Sequence, residues 1–372
     1  MTKKIGFLVL NNFNHDARVT KQSNLFARKG YEVSVHAVFN GEDLPLLSRS
    51  NGVEIKRHNL VTKNLPKNSF FQSIKYINYI MKLSELRKFD YIFLSRAKTL
   101  PLGFIIKLMS FNKVVLIYDT RELETESNGL SKTQKRVVSS LERFFIPFTK
   151  KILVVSKSIQ EIYQKKYRRE VILIPNSTYF IKIKKNRIFH EKFNLSESTK
   201  VFLYQGRLTK GRGIEVIVNA FEEFKNVDIA LVIMGHGELE EWVKKIALKN
   251  PNIHFHKSVA QNELRSYTAS ADYGFCLIEN TCLSYYYSLP NKLFEYSVAG
   301  LPVIASDFPD MGSLVREFKN GVLIEDVKKE KIVSSINEIL NEDYYQLSVN
   351  SKILAESWDW ANYEETLINL VE

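Results

Sequence analysis

Cysteine is scarce: the 372 residues hold two, Cys276 and Cys282, which excludes a disulfide-stapled scaffold. Histidine is scarce too, and its seven residues form no C-x-x-C or H-E-x-x-H spacing. No metal-ligand cluster is therefore expected. No run reaches the roughly 18 uninterrupted apolar residues of a membrane-spanning helix. Glycine and proline number 24 against 42 phenylalanine and tyrosine, which excludes low-complexity disorder. The stretch from Met1 to Gly6 leads straight into a strand-like segment with no room for a signal peptide, so a reducing, cytoplasmic setting is expected. Helix-turn-helix, zinc-finger and RRM patterns are missing, so nucleic acid is not an expected partner.

What is present is 45% apolar residues and a net charge of +12, unevenly placed. Residues 1–200 carry 37 Lys and Arg against 16 Asp and Glu, a net +21, and residues 201–372 carry 16 against 25, a net −9. At about 100–200 residues per domain the length gives two domains. One is basic and the other acidic.

Short runs rich in Val, Ile and Leu recur, each followed by a stretch of helical period. They fall at Ile5–Leu10, Glu32–Val38, Tyr91–Leu94, Val114–Tyr118, Ile152–Val155 and Val171–Ile174. The series repeats at Val201–Tyr204, Ile229–Met234, Ile253–Phe255, Tyr273–Leu277, Val303–Ala305 and Gly321–Ile324. Continuous apolar runs between helices indicate strands buried on both faces, hence parallel sheets. The expected fold is α/β, with two doubly wound, Rossmann-like domains facing a central cleft. Residues 181–193 are rich in Lys and Arg without clear period and read as a linker. Ligands of such sheets sit beyond the carboxyl ends of the strands, so chemistry is sought there.

Three features of the second half suit an anion. Gly206, Arg207, Lys210, Gly211, Arg212 and Gly213 lie between a strand and a helix pattern. Glycines there permit close backbone approach, and the helix N-terminus with nearby Arg suits a diphosphate. A strand-helix turn with solvated charges is the plainer reading. Gly235 and Gly237 form a second turn at a strand end. Asn291, Lys292, Leu293 and Glu295 open a third helix, with Lys292 and Glu295 at i, i+3. That spacing fits a sugar diol and a phosphate, or an ordinary surface ion pair.

Together these motifs resemble the donor-binding domain of GT-B glycosyltransferases of family 4, the group 1 type. Gly206–Gly213 matches that family's G-R-L-x-x-x-[RK]-G loop, Gly235–Gly237 its next glycine turn, and Ala271-Asp272 its usual A-D. The run from Pro290 to Ser306 resembles P-x-K-x-x-E-x-x-A-x-G-x-P-V-I-x-S. The resemblance implies that Arg207 and Arg212 hold the donor diphosphate and neutralise the leaving group. It implies Glu295 on the nucleotide ribose, and Asn291 and Lys292 near sugar and phosphates, with Gly206, Gly235, Gly237 and Leu293 completing the donor site. The family's E-x7-E pattern places a first Glu eight positions before Glu295, where this chain has Tyr287. Groups around Tyr286–Leu289 replace it, or the tyrosine run is packing.

In the first half, Asn12 and Asp16 precede Arg18 and Val19 in a D-x-R-V helix opening like the family's first loop. Asp16 is also a helix cap candidate. Asp119, Arg121 and Glu122 follow a strand where relatives show D-x-H-E. Arg121 stays protonated and is no general base, but suits an acceptor phosphate. Asp119 and Arg121 join Arg207 and Arg212 as catalytic candidates, while Asn12, Asp16, Arg96, Arg121 and Glu122 form the acceptor-side candidates. Phe70–Lys82 and Lys132–Lys151 are basic, aromatic segments that suit an anionic membrane surface or simply cover a sheet. Ser357-Trp358 resembles the element before the family's last helix, which returns to the first domain. The expected domains are 1–180 with 358–372, and 198–357.

The activity so implied is transfer of a sugar from a UDP- or GDP-sugar to a glycan or lipid-linked acceptor in cell-surface polysaccharide synthesis, retaining and metal-independent. The resemblance leaves two other readings: a GT-B sugar-nucleotide epimerase or hydrolase, and a non-catalytic glycosyltransferase-like partner subunit.

Overall fold

The computed structural model describes residues 2–14, 16–39, 41, 44–59, 78–224 and 228–372. The segment Phe70–Lys82 named above falls outside these residues up to Ile77. The chain divides into two compact units, Met1–Ile174 with Tyr363–Glu372, and Pro175–Asn362.

Among the described residues the first unit holds eight strands: β1 (Lys4–Leu8), β2 (Glu32–Val38), β3 (Leu47–Ser50), β4 (Val53–His58), β5 (Tyr91–Ser95), β6 (Val115–Asp119), β7 (Lys151–Val154) and β8 (Val171–Leu173). Their order is β3-β4-β2-β1-β5-β6-β7-β8. All pairs are parallel except β3 with β4. The β3–β4 hairpin has no counterpart in the sequence reading. Val53, Ile55 and Arg57 turn inward while Glu54, Lys56 and His58 alternate with them, so no continuous apolar run marks this flank of the sheet.

The second unit holds β9 (Lys200–Arg207), β10 (Ile229–His236), β11 (Ile253–Lys257), β12 (Tyr273–Cys276), β13 (Val303–Ser306) and β14 (Gly321–Ile324), in the order β11-β10-β9-β12-β13-β14. Every pair is parallel. Residues alternate between two cores. Phe202, Tyr204, Leu231 and Ile233 enter one, while Val201, Leu203, Val232 and Met234 enter the other. Both faces being covered is why these strands read as unbroken apolar runs.

The linker reading of 181–193 is corrected in part. Ile188–Phe193 is a short helix, and its Phe189 is fully buried in the second core. One Phe per turn among Lys, Arg and His is too sparse a stripe for periodicity to register. In each sheet the winding reverses once, between β1 and β5 and between β9 and β12. Such switch points open a crevice at the carboxyl ends of the strands.

Candidate active site

In the second unit the carboxyl end of β9 carries Gly206 and Arg207 into a loop ending at Gly213, where the helix Ile214–Phe221 begins. β10 ends in Gly235 and His236. The two turns touch. A Cβ on Gly235 would lie 1.8 Å from the Gly206 carbonyl oxygen. One on Gly237, whose φ is 151°, would lie 2.4 Å from the Leu208 carbonyl oxygen. Only glycine fits at either position. Arg207 is exposed, and the Arg212 guanidinium stacks 4.5 Å from the Tyr285 ring centre.

The helix Asn291–Ala299 divides its side chains by register. Asn291 is exposed, Glu295 is half-buried and Lys292 turns inward. The Lys292 ammonium sits 3.9 Å from the Tyr204 ring centre and has no hydrogen-bond partner. Burial lowers its pKa to about 8, with Arg212 adding to the fall and Cys276 and Glu295 opposing it. A buried ammonium without a hydrogen-bond partner is a candidate anion site. Glu295 accepts a hydrogen bond from Gln205 Nε2 at 2.6 Å, and Gln205 Oε1 accepts from the Thr268 hydroxyl at 2.8 Å. The Tyr296 hydroxyl accepts from Gln205 N at 3.0 Å and donates to the Leu203 carbonyl at 3.1 Å, which fixes the helix to β9.

Leu293 requires a correction. Its side chain is fully buried in the second core with Leu289, Phe294 and Phe308. Each residue advances about 100° around a helix, so a position beside Lys292 points to the sheet, and the Leu293 side chain does not line a donor site.

The tyrosine run makes packing contacts. Tyr286 meets Phe308 at 5.2 Å and Tyr287 at 5.1 Å, and Tyr285 and Tyr286 rest on the second core. Glu279, too far back in sequence for the E-x7-E pattern, nonetheless reaches the glycine loop. Its carboxylate accepts from Gly213 N at 3.2 Å, and its own N–H donates to Gly211 O at 3.0 Å.

In the first unit, Asp119 ends β6 fully buried. Arg18 grips both its oxygens, with Nη2 at 2.7 Å, and Gln22 Nε2 donates at 3.0 Å. That enclosure corrects its place among the catalytic candidates: both oxygens are committed to internal partners, so Asp119 positions β6 against the first helix. Asp16 is the N-cap of the helix Ala17–Arg28, accepting from Val19 N at 3.2 Å, and also takes Arg121 Nη1 at 2.7 Å. The Nε and Nη2 atoms of Arg121 are buried with no hydrogen-bond partner. Arg96 donates to Glu122 at 2.8 Å, from a backbone with φ 80° and ψ 153°. That region is nearly glycine's alone and costs about 1–3 kcal/mol. The Asn12 carbonyl accepts from Arg57 at 2.9 Å, which fixes the first loop.

The family model for group 1 glycosyl transferases matches residues 185–354, and that for glycosyltransferase family 4 matches residues 18–178. The chain belongs to the group 1, family 4 type of GT-B glycosyltransferases. Over 408 aligned positions it is 22% identical to a chitobiosyldiphosphodolichol beta-mannosyltransferase of Candida albicans, covering 100% of this chain and 88% of that one. A lipopolysaccharide 1,2-N-acetylglucosaminetransferase of Salmonella typhimurium is 22% identical over 69% of this chain and 73% of that one. Sucrose-phosphate synthase of Thermosynechococcus elongatus superposes with a TM-score of 0.81 at 17% identity, over 99% and 98% of the two chains. HepE of Anabaena, solved with UDP-glucose, gives 0.76 at 14% identity over 99% of each chain. At such identities these structures show a shared GT-B fold.

Two residues of this glycosyltransferase escaped the sequence reading. Gln205 directly follows the apolar run Val201–Tyr204, and nothing in its spacing sets it apart. Glu124 lay unassigned in a run of charges. It is buried beside Arg96, and its Oε1 has no hydrogen-bond partner. Burial raises its pKa to about 7, opposed by Arg96 and assisted by Glu122 and Glu142.

Proposed function

We propose that this glycosyltransferase takes a UDP- or GDP-sugar and moves the sugar to a glycan or lipid-linked acceptor in cell-surface polysaccharide synthesis. The observation that carries the reading is Lys292: a buried ammonium without a hydrogen-bond partner, beside Arg212 and on the same helix as Glu295. A nucleotide diphosphate supplies the anion that this ammonium lacks. Arg207, Arg212 and Lys292 stabilise the negative charge that grows on the departing diphosphate. Three cations suffice for that work, so the reaction is read as metal-independent and cofactor-free. Glu295, held by Gln205, accepts the ribose hydroxyls. Attack from the same face, with retention, follows from the family resemblance.

The first unit is read as the acceptor side. The free Nε and Nη2 edge of Arg121 is the fork that binds a phosphate in bidentate fashion. The names of the Candida and Salmonella relatives, a diphosphodolichol mannosyltransferase and a lipopolysaccharide transferase, support a lipid-linked or glycan acceptor. The reading also includes a peripheral place on the inner face of the membrane. Phe104, Phe144, Phe145 and Phe148 cluster with ring centres 4.5–6.2 Å apart, and Phe144 is 59% exposed. The helix Lys132–Phe145 buries only Val138 and Glu142, so it is not a simple sheet cover. Among the described residues no helix is long and apolar enough to cross a membrane.

The test is a thermal-shift screen across UDP- and GDP-sugars. One donor is expected to raise the melting temperature, and Glu295→Ala to remove that rise. If no sugar nucleotide moves the transition, the reading fails.

A further inference from the structure

Three side chains that lie 22 and 27 positions apart in sequence converge in the first unit. His36 sits on β2 and His58 on the neighbouring strand β4. Glu85 lies in the short 3-10 helix Ser84–Lys88 that leads into β5. His36 Nδ1 is 3.0 Å from His58 Nε2 and 3.7 Å from Glu85 Oε1. All three atoms lie within 4.8 Å of one another. Ligand atoms around a tetrahedral zinc ion stand about 3.3 Å apart, so modest side-chain rotation brings these three onto one ion.

The surroundings match a metal centre in three respects. The Ser34 hydroxyl lies 2.9 Å from His36 Nε2. With Nε2–H donating to that oxygen, the Nδ1 lone pair faces the cluster, the arrangement that orients metal-bound imidazoles. The rings of Phe89 and Tyr79 stand edge-on to His36 and His58, at 6.0 and 5.8 Å, and fix their planes. A surface pocket lined by Ser34, Glu54, Lys56 and Glu85 gives an entry path.

We propose that His36, His58 and Glu85 form a binding site for one divalent cation of the zinc type, with water in the fourth position. Two neutral imidazoles and a carboxylate are the donor set such a borderline ion prefers. None of the three belongs to the donor loops or to the cluster around Asp119, so the site is independent of the transfer reaction. Its role is to tie β2, β4 and the segment before β5 together. Lys56 is its competitor. The Lys56 ammonium lies 3.1 and 3.0 Å from the two Glu85 oxygens, and also 3.1 Å from Glu54. An arriving ion displaces it from Glu85, and Glu54 retains it.

The test uses the full chain treated with chelator and then titrated with Zn²⁺ by calorimetry, and with Co²⁺ by visible absorption. One ion per chain is expected, with the intense absorption of four-coordinate cobalt, and Zn²⁺ is expected to raise the melting temperature. Ser34→Ala is expected to weaken Zn²⁺ binding roughly 10- to 100-fold, and His58→Gln and Glu85→Gln more than that. Lys56→Met, a change at a partly exposed competitor that keeps the three ligands, is expected to tighten it. Circular dichroism of each variant separates lost binding from lost folding. The proposal is overturned if the wild-type chain binds no Zn²⁺ at micromolar concentration. It is equally overturned if folded His58→Gln binds as well as wild type, or if Lys56→Met leaves the affinity unchanged or weaker.

Discussion

Two residues of this glycosyltransferase have strongly shifted titration, and their signs differ. Lys292 has a folded-state pKa lowered to about 8. A diphosphate needs the ammonium charged, so donor affinity is expected to be full below pH 8 and to fall, up to tenfold per unit, above it. Lys292→Arg is expected to hold the affinity at pH 9, because guanidinium stays protonated. Calorimetric titration of the donor at several pH values checks both statements. Glu124 moves the other way, with a folded pKa raised to about 7. The folded chain therefore binds the extra proton, and this group makes stability fall as pH rises from its unfolded value near 4.5 to 7. Glu124→Gln is expected to remove that slope and to stabilise the chain at pH 8 by on the order of 1–3 kcal/mol. Urea melts at pH 5 and pH 8 show whether the gain is confined to the higher pH.

Among elements, two glycine turns shape the candidate site beside the helix Asn291–Ala299. The Gly206 and Gly235 turns lie against each other with no space for a methyl group. Gly235→Ala is expected to destabilise the second unit by roughly 2 kcal/mol or more. It is also expected to weaken donor binding, as read by thermal shift with and without the sugar nucleotide. The same change at Gly129, where φ is 78° and nothing lies within 4 Å of a Cβ, serves as the control for backbone strain without a clash. In the first unit the Arg18–Asp119 pair has the corresponding role. It is buried on both sides, and it joins the first helix to β6. Breaking a buried pair of this kind is costly, because it leaves an uncompensated buried charge.

For the whole molecule, the charge asymmetry becomes a statement about surfaces. The +21 of residues 1–200 accompanies the exposed aromatic cluster of Phe104, Phe144, Phe145 and Phe148. Phe144→Glu is expected to reduce co-sedimentation with vesicles rich in anionic lipid several-fold. Binding by the parent chain is expected to weaken as salt rises. Binding indifferent to both salt and anionic lipid would remove the membrane from the proposed function.

The sequence by itself determined the two parallel sheets, because strands buried on both faces must be apolar throughout. It determined the donor motifs, because glycine at Gly206, Gly235 and Gly237, cations at Arg207, Arg212 and Lys292, and a carboxylate at Glu295 sit at short, readable spacings. It did not mark the β3–β4 hairpin, whose alternating Val53–His58 leaves no unbroken apolar run, nor Phe189 in its basic helix. It placed Leu293 and Asp119 in sites from which packing removes them. Whether a side chain faces a ligand or the core depends on which element covers it. Only tertiary structure decided that Lys292 lies buried over Tyr204, that Asp119 is spent on Arg18, and that burial raises the pKa of Glu124. The same holds for His36, His58 and Glu85. Local spacing records contacts along one element, whereas these three meet only because β2 and β4 pair and the segment before β5 folds back over them.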